Sequence, residues 1–128
     1  MQTNRPRGLN RQVLRFFAPL LVLTGLGGFL IPPELGLMSG APLYNIFHII
    51  FGILGVCLAM RGERESAFFN LAFGFVDLYQ ALASWAHLFP VQHFRWKPAD
   101  DVLHVVVGLA LALIGAKALP ASPAPSKI

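Results

Sequence analysis

Two histidines occupy equivalent positions in two copies of one short pattern. An Asn or Asp stands three residues before each histidine and a Gly stands four residues after it, as in Asn45-Ile-Phe-His48-Ile-Ile-Phe-Gly52 and Asp101-Val-Leu-His104-Val-Val-Val-Gly108. Two inward imidazoles at one depth could ligate a haem iron or the magnesium of a chlorophyll. The structural alternative, which we rank first, is that each histidine makes an interhelical hydrogen bond while Asn45 and Asp101 cap their helices.

An acidic residue lies in the apolar segment between the two histidine patterns. Asp77 shares one helical face with Asn70, Gly74, Ala81 and Ser84, and Gln80 lies beside that face. We expect Asp77, Gln80 and Ser84 to form an intramembrane polar cluster, with the Asp77 carboxyl protonated or hydrogen-bonded to Gln80. Asp77 could serve as a proton or cation site, or it could be a buried acid that joins two helices.

These residues must be positioned by apolar segments, since 55% of the 128 residues are hydrophobic and only 12% are charged. Four segments are long enough to cross a bilayer as helices, and prolines stand at one beginning and three ends. The segments are about 13–31, 43–60, 67–89 and 101–119. We expect small and polar side chains to face the bundle interior, and Phe, Leu and Ile to face lipid.

The basic residues predict how the helices are oriented. Eight lie in the N-terminal arm, the second connection and the C-terminal tail: Arg5, Arg7, Arg11, Arg15, Arg61, Arg64, Lys117 and Lys127. Only Arg95 and Lys97 lie in the other two connections. Because cytoplasmic segments are enriched in Lys and Arg, both termini are expected in the cytoplasm, and the chain in the inner (cytoplasmic) membrane as a multi-pass protein. We expect residues 1–12 to be a basic arm and 120–128 a disordered tail. Cleavage of the first segment as a secretory signal is a less favoured alternative.

The repeated histidine pattern indicates an internal duplication. The first and third segments match more weakly, through Phe16-Phe17 and Phe68-Phe69, and the connections 32–42 and 90–100 have equal length. The fold class predicted is therefore an all-α bundle of four transmembrane helices, built from two tandem helix-pair repeats. Because a pair of spans returns to its starting side, the two copies would be related by an axis along the membrane normal.

Together with Gly74-x-x-Asp77, the two histidine patterns resemble a bacterial family of small four-helix membrane proteins of unknown function. This resemblance covers nearly all of residues 13–119. It implies the four-helix topology and the inward histidine pair, but it does not imply any particular activity. Membrane proteins of the DoxX type are similar only in size and number of spans.

The sequence lacks the motifs of the common enzyme classes. It contains no Gly-rich phosphate loop, no nucleophile elbow and no clustered ligand set of the zinc type, so we expect no enzymatic activity and no catalytic or metal site. Our leading interpretation is a non-enzymatic accessory or structural subunit that contacts lipid and other membrane subunits, or associates with itself, without binding nucleic acid. One alternative is a haem- or chlorophyll-binding subunit ligated by His48 and His104. A further alternative is a proton- or ion-coupled permease that uses Asp77.

Overall fold

The structure is a computed structural model in which residues 8–118 are described. Within that range all regular secondary structure is α-helical and there is no strand, which confirms the predicted all-α class. The helices are α1 (Leu9–Leu30), α2 (Pro42–Arg61), α3 (Glu63–Ala86), a four-residue α4 (Val91–Phe94) and α5 (Pro98–Lys117). The expected tail 120–128 and the first seven residues of the expected arm lie outside the described residues, and the remainder of that arm contributes the first turn of α1.

Helix ends depend on residues that an apolar pattern does not reveal. Helix α5 begins at Pro98 rather than near 101, because Pro at the first helical position has no N–H to leave unpaired. Helix α3 ends at Ala86 rather than 89, because His87 adopts a left-handed conformation (φ 57°) and the chain turns away. The apolar residues Leu88 and Phe89 therefore belong to the connection.

Three of the helices, α1, α2 and α5, are long and apolar enough to cross a membrane. The fourth expected span, α3, has 24 residues but falls short in apolarity. The reason is that α3 carries Asn70, Asp77 and Gln80, and all three side chains are buried. Its polar residues point into the protein, while its outer surface carries exposed Phe68 and Phe75.

Glycines hold the helices together in two close pairs, α1 with α2 and α3 with α5. A Cβ atom added at Gly52 of α2 would lie 2.7 Å from Val22 N and 2.9 Å from Ala18 O of α1. A Cβ added at Gly74 of α3 would lie 2.6 Å from Ala112 N of α5. At these points the two backbones touch, and only glycine fits.

Aromatic side chains fill the space between the two pairs at the end of the bundle nearer the termini. Phe73, which is 2% exposed, packs against Phe17, Phe51 and Phe69 with ring centroids 5.9, 5.5 and 5.2 Å apart. The expectation that Phe residues face lipid is therefore wrong for Phe69 and Phe73. Large apolar side chains are needed inside because glycine contacts close each pair but leave a gap between the pairs.

The two outer connections are bound to each other at the opposite end. Lys97 Nζ donates to the carbonyls of Pro33 and Gly36, and the Ser39 hydroxyl donates to the carbonyl of Phe94. The 31–41 connection and the 87–97 connection thus form one layer over the ends of α2 and α5. This layer closes the end of the bundle where both histidines lie.

Candidate functional site: a polar cavity between the helix pairs

A cavity of about 220 Å³ lies between the two helix pairs, and residues of α1, α2, α3 and α5 line it. Its polar lining residues are Tyr44, His48, Asp77, Asp100, His104 and Thr24. Its apolar lining residues are Phe17, Leu20, Leu21, Met38, Leu103 and Val107. Helices α1 and α5 make few contacts with each other, and Leu20 and Leu103 at this edge are nearly half exposed. The cavity therefore opens sideways between α1 and α5, with an apolar rim and a polar interior.

His48 presents one ring nitrogen to the cavity in a defined state. Its Nδ1 lies 2.7 Å from the carbonyl oxygen of Tyr44. Because a carbonyl can only accept, Nδ1 carries the proton, and Nε2 of the neutral ring has a free lone pair. The Tyr44 ring lies against the imidazole with centroids 4.1 Å apart and fixes its orientation.

His104 lines the same cavity from α5, but its surroundings differ. The side chain is 5% exposed, and its Nδ1 has no hydrogen-bond partner among residues 8–118. Trp96 packs edge-on against the ring at 6.3 Å. A buried imidazole nitrogen without a partner is costly, so this position suits a group that arrives from outside the chain.

Asp77 supplies a carboxyl to the cavity from the middle of α3. It is 3% exposed, and Gln80 Nε2 donates to its Oδ1 at 3.1 Å. Ser84, the third residue of the expected cluster, is half-buried and lies one turn beyond Gln80, away from the cavity lining. The structure thus brings Asp77 together with the two histidines, and pairs it with Gln80 rather than with Ser84.

Two lining residues, Tyr44 and Asp100, were missing from the sequence-based site. Asp100 is 1% exposed and accepts hydrogen bonds from Ser39 N at 2.9 Å, Lys97 N at 2.8 Å and the Tyr44 hydroxyl at 2.5 Å. The available signal was its position three residues after the N-cap of a helix that starts at Pro98, where an acidic side chain reaches back to the N-cap N–H.

The expected caps at Asn45 and Asp101 are therefore wrong. Asp100 performs that role on α5, while Asp101 Oδ1 has no hydrogen-bond partner in the described part of the chain. Asn45 Nδ2 donates instead to the carbonyl of Gly40. Asn45 and Asp101 share a sequence pattern, but they do not share a structural role.

Residues 11–117 match the family described as "Domain of unknown function (DUF4383)". The chain belongs to this family. The expected resemblance to a family of unknown function is thereby confirmed for most of the chain. No curated protein and no solved structure shows significant similarity to it. Because the family description carries no activity, the chemistry of the cavity is the basis for assigning a function.

The cavity of this DUF4383 member is rich in hydrogen-bond acceptors. Two carboxyl groups and two imidazoles line it, and among residues 8–118 no Lys or Arg does. Lys97, which lies in the outer layer, is bound through Nζ to backbone carbonyls. No group of three or more metal-ligating side chains occurs between residues 8 and 118. The arrangement therefore favours a ligand that donates hydrogen bonds.

A tetrapyrrole does not fit the cavity as it stands. Sites for drug-sized ligands usually enclose about 300–1,000 Å³, and this cavity, at about 220 Å³, is smaller. The Nε2 lone pair of His48 has the right chemistry for an axial ligand, but a macrocycle between His48 and His104 would have to separate the helix pairs. A smaller head group, with its apolar remainder in the bilayer, matches the available volume.

Proposed function

We propose that this chain is a non-enzymatic membrane subunit that binds a small amphiphilic molecule in the cavity between its helix pairs. The observation that carries the proposal is that five buried polar side chains from three helices line one cavity with an apolar, sideways opening. Polar groups are expensive inside a membrane protein and commonly mark a ligand site. This proposal keeps the expected accessory role and adds what the subunit would contribute to a complex.

The proposal includes four membrane-crossing helices, with α3 as the fourth. Asn70, Asp77 and Gln80 lower the hydropathy of α3, but they are buried, so lipid would contact Phe68, Phe75 and other apolar side chains. A helix of this kind can span a bilayer because neighbouring helices solvate its polar face. We further propose that the two helix pairs are tandem copies, with one histidine on the second helix of each pair.

We also propose that both termini are cytoplasmic and that the host membrane is the inner membrane. The excess of Lys and Arg near the termini and at the junction of α2 and α3, where Arg61 ends α2 and Arg64 lies in the first turn of α3, supports this orientation. Single cysteines test it in a Cys57→Ser background: Glu34→Cys should react with a membrane-impermeant maleimide in intact cells, and Glu65→Cys should react only after lysis. The opposite pattern would overturn the orientation.

Binding is favoured over transport because the cavity ends at the aromatic cluster. Phe17, Phe51, Phe69 and Phe73 pack between the cavity and the end of the bundle that carries the termini. An ion-coupled permease needs a route past Asp77 to both sides, and these rings fill that route. A molecule that enters from the bilayer would instead stop at the polar interior.

Identification of co-purified molecules tests the proposed function directly. Protein purified in a mild detergent would be extracted with solvent, and the extract analysed by mass spectrometry. Val107→Phe fills the cavity, since Val107 lines it, whereas Val106→Phe adds the same bulk to an exposed position. We expect one amphiphile near equimolar amounts in the wild type and in Val106→Phe, and its loss in Val107→Phe. Equal contents in all three proteins would contradict the proposal.

A further inference from the structure

We propose that the amphiphile is a lipid-soluble amine, bound as its ammonium ion through Asp77 and reaching the cavity sideways from the bilayer. This inference rests on the proposed function and specifies the chemical class of its ligand. Two independent features of the cavity carry it. One is an acidic interior that no Lys or Arg of the described helices and connections lines, and the other is a buried imidazole nitrogen with no hydrogen-bond partner in the same residues.

The acidic side chains of the cavity interior favour a cationic ligand, because a bound cation would stabilise the ionised form of a buried carboxyl. Asp77 and Asp100 both line the cavity, and no Lys or Arg from the described part of the chain does. Asp100 already accepts three hydrogen bonds, from Ser39, Tyr44 and Lys97. Most of its acceptor positions are therefore occupied by groups that hold the fold together. Asp77 accepts one hydrogen bond from the Gln80 amide among residues 8–118. A carboxylate has about four acceptor positions, so Asp77 keeps capacity for an N–H donor.

The hydrogen-bonding pattern suits an amine in particular. His48 donates its Nδ1–H to the backbone carbonyl of Tyr44, which leaves Nε2 as an acceptor. His104 is buried with Nδ1 unpartnered, and a neutral imidazole always has one acceptor nitrogen. An alkylammonium group has three N–H donors, and the cavity is lined by one acceptor-bearing side chain from each of α2, α3 and α5, namely His48, Asp77 and His104. An alcohol would satisfy fewer of these acceptors, and a carboxylate would satisfy none.

The walls and rim of the cavity accommodate the rest of such a molecule. Phe17 and Tyr44 are in the lining, and aromatic faces attract organic cations. Leu20 and Leu103 stand at the opening between α1 and α5 and would contact an alkyl chain. The ammonium group would thus be buried while its chain extends toward the bilayer.

Binding of three probes of equal chain length tests the inference. Radiolabelled dodecylamine would be titrated against the protein in nanodiscs of neutral lipid, with empty nanodiscs to subtract partitioning, and dodecanol and dodecanoate would serve as competitors. We expect saturable binding at one site per chain that an excess of dodecanol displaces weakly and dodecanoate does not displace. Equal displacement by dodecanol would overturn the amine assignment.

Variants at two acids assign the binding to Asp77. Asp77→Asn is expected to weaken dodecylamine binding about thirtyfold or more, because it leaves a buried ammonium without its counter-charge. Asp77→Glu keeps the charge and should retain most of the affinity, which separates loss of charge from loss of folding. Asp101→Asn, outside the cavity lining, should bind as the wild type does. Unchanged binding by Asp77→Asn would refute the inference.

The outcomes also separate this inference from the proposed function. If dodecanol binds saturably and Val107→Phe abolishes that binding while dodecylamine shows no preference, the cavity is a ligand site but the ligand is not an amine. If no probe binds saturably and extracts of the wild type and of Val107→Phe are identical, the proposed function fails together with the inference.

Discussion

Contact between the backbones of α3 and α5 makes a quantitative prediction at Gly74. A Cβ atom at this position would lie 2.6 Å from Ala112 N and 2.7 Å from Gly108 O. Carbon atoms pack favourably at about 3.5–4.0 Å. Because the opposing atoms belong to backbone, no rotamer change can make room, and Gly74→Ala must push the two helices apart by about 1 Å.

The expected cost of Gly74→Ala is about 1–3 kcal/mol in free energy of unfolding, the usual range for overpacking a close contact. Gly27→Ala is the matched control, since no atom apart from the neighbouring backbone of α1 lies within 4 Å of a Cβ built there, and the residue is also in a helix. Because alanine loses less backbone entropy on folding than glycine does, Gly27→Ala should be as stable as the wild type or up to about 1 kcal/mol more stable.

Unfolding of the purified protein by sodium dodecyl sulfate in a mild detergent, followed by tryptophan fluorescence, measures the difference. The assay compares wild type, Gly74→Ala and Gly27→Ala at one protein and lipid concentration. If Gly74→Ala proves as stable as Gly27→Ala, the register in which α3 packs on α5 is wrong, and with it the placement of Asp77 and His104 in one cavity.

Two further substitutions test the connections at the ends of the bundle in the same titration. Glu63→Ala should lower the free energy of unfolding by about 1–2 kcal/mol, because the Glu63 carboxylate caps the start of α1 by accepting from the N–H groups of Asn10 and Arg11. The control Glu65→Ala, at an exposed position, should change the free energy of unfolding by less than about 0.5 kcal/mol. Equal effects of the two substitutions would contradict the capping role of Glu63. Asp100→Asn should lower the free energy of unfolding by about 1.5–3 kcal/mol, because the Asp100 carboxylate accepts three hydrogen bonds. The neighbouring Asp101→Asn should change the free energy of unfolding little. A larger effect at Asp101 would show that the cap of α5 was assigned to the wrong acid.

Local pattern was sufficient to predict the helices and much of what they bury. Long apolar segments next to prolines predict helices that cross a bilayer, because chain in hydrocarbon must satisfy its own backbone groups. The helical spacing of Asn70, Gly74 and Asp77 likewise indicated one inward face, and all three contact neighbouring helices or are buried. These predictions depend only on periodicity, and periodicity is a property of a single helix.

The cavity itself could not be predicted, because it arises where packing between helices is incomplete. Glycine contacts close α1 on α2 and α3 on α5, while α1 and α5 scarcely touch. Whether a gap remains depends on the summed shapes of side chains that are distant in sequence, such as Phe17 and Val107. A local sequence pattern does not show how the shapes of such distant side chains fit together.

Apolar segments, prolines and helical spacing were enough to predict the element types, their approximate limits and the inward orientation of His48, Asp77 and His104. Packing of the whole bundle was needed to show which of two adjacent acids is the buried cap, that Phe73 belongs to the interior, and that the two histidines and Asp77 share one cavity. The physical reason is that neighbours in a helix point about 100° apart. Asp100 and Asp101 are therefore alike in composition but face different surroundings, which the packing of the whole bundle sets.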